Sequence, residues 1–173
     1  MTNWYVITGG PSSGKTTTVN LLRDRGYTTT IEHARHYIDL QRIEGRTVEE
    51  VRARQREFQH GVLTMQLEQE ANLDPAQTVF LDRALPDSLA YYRFLDLEPD
   101  PKLLDALPHV AYRKTFILDL LPLAPDYART EDLDAQIRIH ALLTEVYQEL
   151  PIPVVKVPVL DAADRVAFIL DRL

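Results

Sequence analysis

The sequence predicts an α/β domain with a parallel sheet covered by helices on both faces. Short runs of β-branched and aromatic residues alternate with helical stretches along the 173 residues. The first run leads into a glycine-rich motif, G-x-x-x-x-G-K-[ST], which spans Gly9 to Thr16 and opens the first helical stretch. Because 45% of the residues are hydrophobic, the chain can bury an ordinary core, and it has no cysteine for disulfides or thiolate zinc sites.

The alternation consists of five strand candidates and the helices around them. The strands are predicted at Asn3 to Thr8, Tyr27 to Glu32, Gln77 to Asp82, Ala111 to Asp119 and Pro153 to Val157. The helices are predicted at Lys15 to Arg25, His36 to Ile43, Val48 to Asn72, Asp87 to Leu95, Glu131 to Leu150 and Ala162 to Leu173. A parallel sheet binds its ligands at the carboxyl ends of its strands, so the polar residues that follow each strand are candidate site residues.

The glycine-rich motif has the residues of a phosphate-binding loop. Gly9 and Gly14 permit a tight turn and close approach of phosphates, Lys15 would reach the β- and γ-phosphates, and the Thr16 hydroxyl would bind Mg²⁺. Backbone N–H groups at the start of the following helix favour an anion. The predicted phosphate-binding residues are Gly9, Gly10, Pro11, Ser12, Ser13, Gly14, Lys15, Thr16 and Thr17. The alternative is a strand-to-helix turn that binds nothing.

Two further strands end in charged residues. Asp82 closes the run "TVFLD", at the position where a phosphate-binding enzyme places a second Mg²⁺-organising carboxylate, and Arg83 follows it. The alternative is a surface ion pair between the two. Glu32 ends the second strand and could accept a proton from an attacking hydroxyl group, while Arg35 could position the acceptor. The alternative for Glu32 is a favourable charge at the N-terminus of the next helix.

The fourth strand leads into a loop that carries a candidate catalytic arginine. The segment "LDLLPLAPDYARTEDLD" is rich in proline and polar residues, and Arg129 precedes Thr130, a candidate N-cap. An arginine on a loop beside a phosphate site can stabilise phosphoryl transfer. The alternative is an exposed arginine that pairs with a neighbouring carboxylate.

Charge and hydropathy restrict the partners. The formal net charge of −7 argues against a nucleic-acid partner, which would need a basic surface. The longest apolar stretch, "TFILDLLPLAP", is interrupted by Asp119 and two prolines, and the first strand begins by Asn3. We therefore expect a cytoplasmic protein with no membrane segment and no signal peptide.

Three ordered motifs carry a family resemblance. "GGPSSGKTT", "FLDRALPDSLAYYR" and "RTEDLDAQIRIHALLTEVYQEL" together resemble an AAA-type P-loop family related to the ribosylnicotinamide kinase domain of the NAD-metabolism regulator. More broadly, they are similar to nucleoside and nucleotide kinases. The resemblance implies a three-layer P-loop NTPase sandwich whose five-stranded sheet has the order 2-3-1-4-5. It also implies a single domain over residues 1–173 with a lid around residues 120–131.

The resemblance implies roles for particular residues. Lys15, Glu32, Asp82 and Arg129 would be catalytic, and Thr16 with Asp82 would hold Mg²⁺. The candidate substrate-binding residues are Arg35, Arg83 and Asp87, and further residues that could line the acceptor pocket are Gln59, Gln66 and Ser88. The alternative for Gln59, Gln66, Ser88 and Asp87 is that each is a helix cap or a solvated helix residue. Ala84 stands where the family pattern leads us to expect glycine.

Three functions remain open from the sequence. The first is a small-molecule kinase that transfers the γ-phosphoryl group of ATP, or of GTP, to a hydroxyl of a nucleoside-like acceptor such as ribosylnicotinamide. The second is an NTPase whose acceptor is water. The third is a nucleotide-dependent binding protein that uses lid closure as a switch.

Overall fold

The computed structural model describes residues 1–32, 45, 47, 49–50, 54–122 and 130–173. Its strands are β1 (Trp4–Thr8), β2 (Thr28–Thr29), β3 (Val79–Asp82), β4 (Lys114–Leu118) and β5 (Val154–Val157). Its helices are α1 (Lys15–Asp24), α2 (Gln55–Asn72), α3 (Leu85–Phe94), α4 (Pro101–Ala106), α5 (Thr130–Glu149) and α6 (Ala162–Leu170), and a 3₁₀ turn over Leu107–His109 follows α4. The predicted helix at His36 to Ile43 lies outside the described residues, as do parts of the predicted stretch from Val48 to Arg54.

The five strands form one parallel sheet in the order β2-β3-β1-β4-β5. This confirms the predicted fold class and strand order. The first strand lies at the centre, between β3 and β4, so the loop that follows β1 emerges in the middle of the carboxyl edge. That position is where a parallel sheet binds its ligands.

Alternate residues of each strand pack on opposite faces of the sheet. Tyr5 and Ile7 point to the face covered by α1 and α6, where they contact a cluster that includes Val19 and Val166. The other face is formed by residues one position away along the strands, such as Val6. Beyond that face, apolar residues of α2, α3 and α5 pack against each other. The three-layer architecture therefore buries both faces of the sheet.

Several elements differ from the sequence prediction. Strand β2 ends at Thr29, so Glu32 follows this strand by three residues instead of ending it as predicted. Helix α3 begins at Leu85, two residues earlier than predicted, because the Asp87 carboxylate accepts the Ala84 N–H at 3.0 Å and caps the helix from inside its first turn. Helix α4 was not predicted. It begins with Pro101, and the Asp100 carboxylate accepts the N–H of Lys102 at 2.8 Å. Within the described residues, no helix is both long and apolar enough to cross a membrane.

A buried acid joins α2 to the start of α3. The Tyr112 hydroxyl donates to Glu70 Oε1 at 2.5 Å and accepts the Leu85 N–H at 3.3 Å, while Gln66 Nε2 donates to Glu70 Oε2 at 2.7 Å. Burial raises the pKa of Glu70 to about 7, although these side-chain hydrogen bonds oppose the rise. The protonated form of Glu70 is therefore favoured by folding.

This acid makes the stability depend on pH. The pKa of Glu70 is higher in the folded chain, about 7, than its ordinary value of 4.5, so the folded state binds the extra proton between these values. The stabilisation is complete below the ordinary pKa and is lost as the pH rises through the folded pKa. We expect wild type to lose up to about 3 kcal/mol of unfolding free energy over this range relative to Glu70→Gln.

Denaturant titrations from about pH 4.5 to pH 8 measure this difference. Glu68→Gln is the matched control, because Glu68 lies exposed on the same helix, and its curve should follow wild type. Parallel pH curves for wild type and Glu70→Gln would show that Glu70 titrates at its ordinary pKa.

Candidate nucleotide site

The loop between β1 and α1 has the backbone of a phosphate-binding loop. Gly9 has a φ of +153° and Gly14 a φ of +79°, conformations that side-chain-bearing residues rarely adopt. A Cβ at Gly9 would lie 2.7 Å from the Leu118 carbonyl oxygen, so this turn has no room for a side chain. Thr16 and Thr17 at the start of α1 are exposed, and their backbone N–H groups begin the helix. This end of α1 is therefore an anion-binding position.

Lys15 lies between two carboxylates at the carboxyl edge of the sheet. Its Nζ atom forms an ion pair with Asp82 Oδ1 and lies 3.2 Å from Glu32 Oε2. Burial raises the pKa of Asp82, and the positive charge of Lys15 opposes that rise. Lys15 and Asp82 are both only 6% exposed, whereas the Glu32 side chain is 24% exposed and reaches the solvent side of the cluster. The cluster therefore places one accessible carboxylate beside Lys15, the predicted phosphate-binding lysine.

Arg83 continues the cluster from the end of β3. It has a left-handed φ of 68°, and its Nε atom lies 3.4 Å from Glu32 Oε1. Its guanidinium also lies 5.5 Å from the centre of the Tyr91 ring. Ala84, where the family pattern suggested glycine, is extended with a φ of −146°, a conformation that alanine adopts without strain. Glu32 is thus held between two cations, Lys15 and Arg83.

Asp87 fixes the position of Arg83. Its Oδ1 atom accepts a hydrogen bond from Arg83 Nη1 at 3.0 Å and from Thr8 Oγ1 at 2.5 Å. The Tyr147 hydroxyl, from α5, donates to Asp87 Oδ2 at 2.5 Å. Asp87 is only 3% exposed, and these donors, with the Ala84 N–H, use the acceptor capacity of its carboxylate. Asp87 therefore holds Arg83 in place, and its own role in substrate binding stays a prediction.

Three residues from later in the chain hold the backbone of the loop. His140 Nδ1 accepts the Gly10 N–H at 3.1 Å, and burial lowers the pKa of His140, so its neutral form is favoured. The Leu121 N–H donates to the Ser12 carbonyl oxygen at 3.2 Å, and Arg165 Nη1 donates to the Ser13 carbonyl oxygen at 2.5 Å. These bonds attach the loop to α5, to the segment after β4 and to α6.

A cavity of about 660 Å³ opens from the loop. This volume is in the range of small-molecule sites. Its walls combine charged residues of the cluster with apolar, aromatic and amide side chains of α2, α3 and α5, namely Phe58, Gln59, Val62, Gln66, Ser88, Tyr91, Phe94 and Ile139. Gln59 and Gln66 are buried, and the seven-residue spacing places them on one face of α2. The cavity therefore extends from Lys15 and Glu32 into a region suited to a planar ring.

The oxygen donors near Lys15 fit Mg²⁺. The exposed Thr16 hydroxyl and the carboxylates of Asp82 and Glu32 are hard ligands, which this ion prefers. Within the described residues, no group of three or more His, Cys, Asp or Glu side chains could hold a metal ion by itself. In general, Mg²⁺ that binds together with nucleotide phosphates needs only one or two carboxylates from the protein.

The predicted site residues divide into two groups. Lys15, Glu32, Asp82 and Arg83 lie together beside the loop, whereas Arg35 and Arg129 lie outside the described residues. The catalytic and binding roles of all these residues stay predictions. Sequence reasoning missed His140 and Arg165, because no local pattern marks a side chain that meets a loop more than 120 positions away. It also missed Thr8 and Tyr147.

Solved structures share this fold. The thymidylate kinase from Ehrlichia chaffeensis is similar with a TM-score of 0.63 and 15% identity, over 97% of this chain and 96% of that chain. The deoxyadenosine kinase from M. mycoides with bound dATP has a TM-score of 0.58 and 15% identity, over 98% of both chains. The NadR protein in complex with NR has a TM-score of 0.66 and 19% identity, over 97% of this chain and 49% of the NadR chain. This chain therefore spans about half of that NadR chain.

A comparison of sequences assigns the family. No protein of curated function matches the chain. A family profile described as an AAA domain matches residues 4–165, from the first strand to the last helix. This match includes the phosphate-binding loop and the strand that ends at Asp82. It confirms the resemblance to a P-loop family, and the chain belongs to this AAA-domain family.

Proposed function

We propose that this protein is a small-molecule kinase that transfers the γ-phosphoryl group of ATP to a hydroxyl group of a nucleoside-like acceptor. The observation that carries this proposal is the position of Glu32. Its partly exposed carboxylate lies 3.2 Å from the phosphate-binding lysine and lines a cavity of about 660 Å³. A carboxylate beside the phosphate site can take the proton of an acceptor hydroxyl group, and the part of the cavity beyond the loop offers room for an acceptor, which hydrolysis of ATP would not need.

The walls of the cavity support a nucleoside-like acceptor. Phe58 and Tyr91 offer aromatic surface, and Gln59 offers an amide that can hydrogen-bond a heteroaromatic ring. Ribosylnicotinamide has such a ring attached to a sugar, and the NadR structure with NR makes it the first acceptor to test. The similarity to a deoxyadenosine kinase places deoxyadenosine in the same panel.

The charge cluster suggests how the groups act. In the nucleotide-free arrangement Lys15 forms ion pairs with both Asp82 and Glu32. When the ammonium of Lys15 turns to the phosphates, Glu32 keeps Arg83 as its partner and becomes an acceptor for the substrate hydroxyl. Mg²⁺ held by Thr16 and Asp82 would neutralise charge on the transferring group. Arg129 is proposed to stabilise the same charge from the lid.

Glu32→Gln tests the role of this carboxylate. The amide keeps the size of the side chain but cannot take a proton, so transfer should fall by about 10² to 10⁴-fold. ATP affinity should change little, because Lys15 and the loop carry nucleotide binding. The measurement is the rate of phosphorylated product with ribosylnicotinamide, deoxyadenosine and thymidine, together with ATP binding by calorimetry.

Glu68→Gln is the matched control, since Glu68 is exposed on α2 and should leave both values unchanged. Transfer at the wild-type rate by Glu32→Gln would remove Glu32 from the reaction. A loss of acceptor-independent ATP hydrolysis in the variant, with no transfer by wild type, would instead assign the protein as an NTPase.

Asp82→Asn tests the proposed metal ligand. The amide retains the shape of the carboxylate but loses its charge, so we expect Mg²⁺-dependent turnover to fall by about 100-fold. ATP affinity measured without Mg²⁺ should stay equal or increase, because one negative charge near the phosphates is removed. The exposed Asp105, on α4, provides the control Asp105→Asn. An unchanged dependence of the rate on Mg²⁺ concentration would contradict the assignment.

A further inference from the structure

Arg165 is a buried cation directly behind the phosphate-binding loop. It lies in the first turn of α6 and is only 2% exposed. Its Nη1 atom donates to the Ser13 carbonyl oxygen at 2.5 Å. The same nitrogen packs so closely on Gly14 that a Cβ at that position would lie 2.6 Å from it. The guanidinium therefore contacts two consecutive residues of the loop from its protein side.

The guanidinium lacks the partners that a buried arginine usually has. Its Nε and Nη2 atoms are buried, and neither has a hydrogen-bond partner among the residues that the structure describes. Within the described residues, the one carboxylate that acts on its charge is Asp119, which forms no hydrogen bond with it. Burial lowers the pKa of Arg165, but a guanidinium remains protonated in proteins. A buried charge without a hydrogen-bonded counter-ion destabilises the folded chain.

Lys15 offers a contrast on the other side of the loop. Its charge is neutralised by Asp82 and Glu32, so the lysine must leave carboxylates to meet a phosphate. Among the described residues, Arg165 has no hydrogen-bonded carboxylate that it would have to leave. A nucleoside triphosphate in the loop would bring several negative charges to the opposite side of the Ser13 and Gly14 backbone, a short distance through low-dielectric surroundings. Ser13 Oγ, in the same loop, is also buried, and no residue in the described part of the chain forms a hydrogen bond with it.

We propose that Arg165 is a positioning residue of the nucleotide site, whose uncompensated charge is balanced by the phosphates of a bound nucleoside triphosphate. It fixes the Ser13 carbonyl group, so that the N–H groups of the loop stay directed at the phosphates, and it adds a permanent positive charge behind them. The buried charge destabilises the nucleotide-free protein, and the negative charges of the bound nucleotide offset this destabilisation. This inference rests on the proposed function, because it needs the loop to bind a nucleotide.

A purely structural arginine would behave differently on substitution. If Arg165 only anchored α6 to the loop, its removal would lower the stability of the nucleotide-free protein. If its charge is balanced only when phosphates bind, Arg165→Met should leave the stability of the nucleotide-free protein unchanged or raise it. Methionine fills much of the same space without a charge. The stabilisation by nucleotide should then be smaller.

The experiment compares wild type with Arg165→Met and Arg165→Lys. We expect Arg165→Met to have a thermal midpoint without nucleotide equal to or above that of wild type, and an affinity for Mg²⁺-ATP at least about 10-fold lower. Arg165→Lys keeps the charge but loses the planar fork, so its affinity should be intermediate. Arg93→Met is the control, because it removes a positive charge that pairs with Glu149 at 3.0 Å on the surface. Its ATP affinity should match wild type.

The outcomes separate this inference from the proposed function. Binding of ATP by wild type and by Arg165→Met with equal affinity would overturn the inference and leave the proposed function standing. Both Arg165 variants could instead have a lower thermal midpoint without nucleotide and lose ATP affinity to the same extent. This result would assign Arg165 a structural role and would also overturn the inference. No binding of ATP by wild type would overturn both.

Discussion

The central constraint on this site is that one ammonium group forms ion pairs with two carboxylates. Lys15 pairs with Asp82, the last residue of β3, and with Glu32, which lies three residues after the end of β2. Buried Asp82 needs this cation, since its pKa already lies above its ordinary value because of burial. A phosphate that draws Lys15 away therefore changes the charge of the whole cluster. We therefore propose that nucleotide binding also activates Glu32. When Lys15 moves to the phosphates, the Glu32 carboxylate is released and can accept a proton from a substrate hydroxyl group.

The rest of the fold keeps this cluster in place. The parallel sheet puts the loop and Asp82 on neighbouring strands, with Ile7 paired to Asp82 in register. Asp87 then orients Arg83, and it does so from a buried position bonded to Thr8 and Tyr147. The loop itself is held by hydrogen bonds from later segments, which include one from each of α5 and α6. The proposed lid, around residues 120–131, includes Leu121 and reaches the start of α5, and Leu121 and α5 are both hydrogen-bonded to the loop after β1.

Sequence patterns predicted the features that are determined by residues close together in the chain. The loop from Gly9 to Thr16 has a fixed spacing because each position has its own steric or chemical task, and the strand that ends at Asp82 is a continuous apolar run. Strand order is different, since hydrophobic periodicity does not encode it, and it came from the family resemblance before the sheet confirmed it. The contacts of Arg165 and His140 with the loop could not be predicted, because they arise from packing between distant segments. Helix α4 was missed because it is short, although Asp100 and Pro101 are good start signals.

The central claim is that the γ-phosphoryl group goes to an organic acceptor in the cavity beside Glu32. The most direct measurement is to incubate wild type with Mg²⁺ and ATP labelled in the γ-phosphate, with and without ribosylnicotinamide, deoxyadenosine or thymidine, and to separate the labelled products. We expect label on at least one nucleoside, in a reaction that occurs only when that nucleoside is present. Label found only in inorganic phosphate, at a rate that no nucleoside changes, would contradict it.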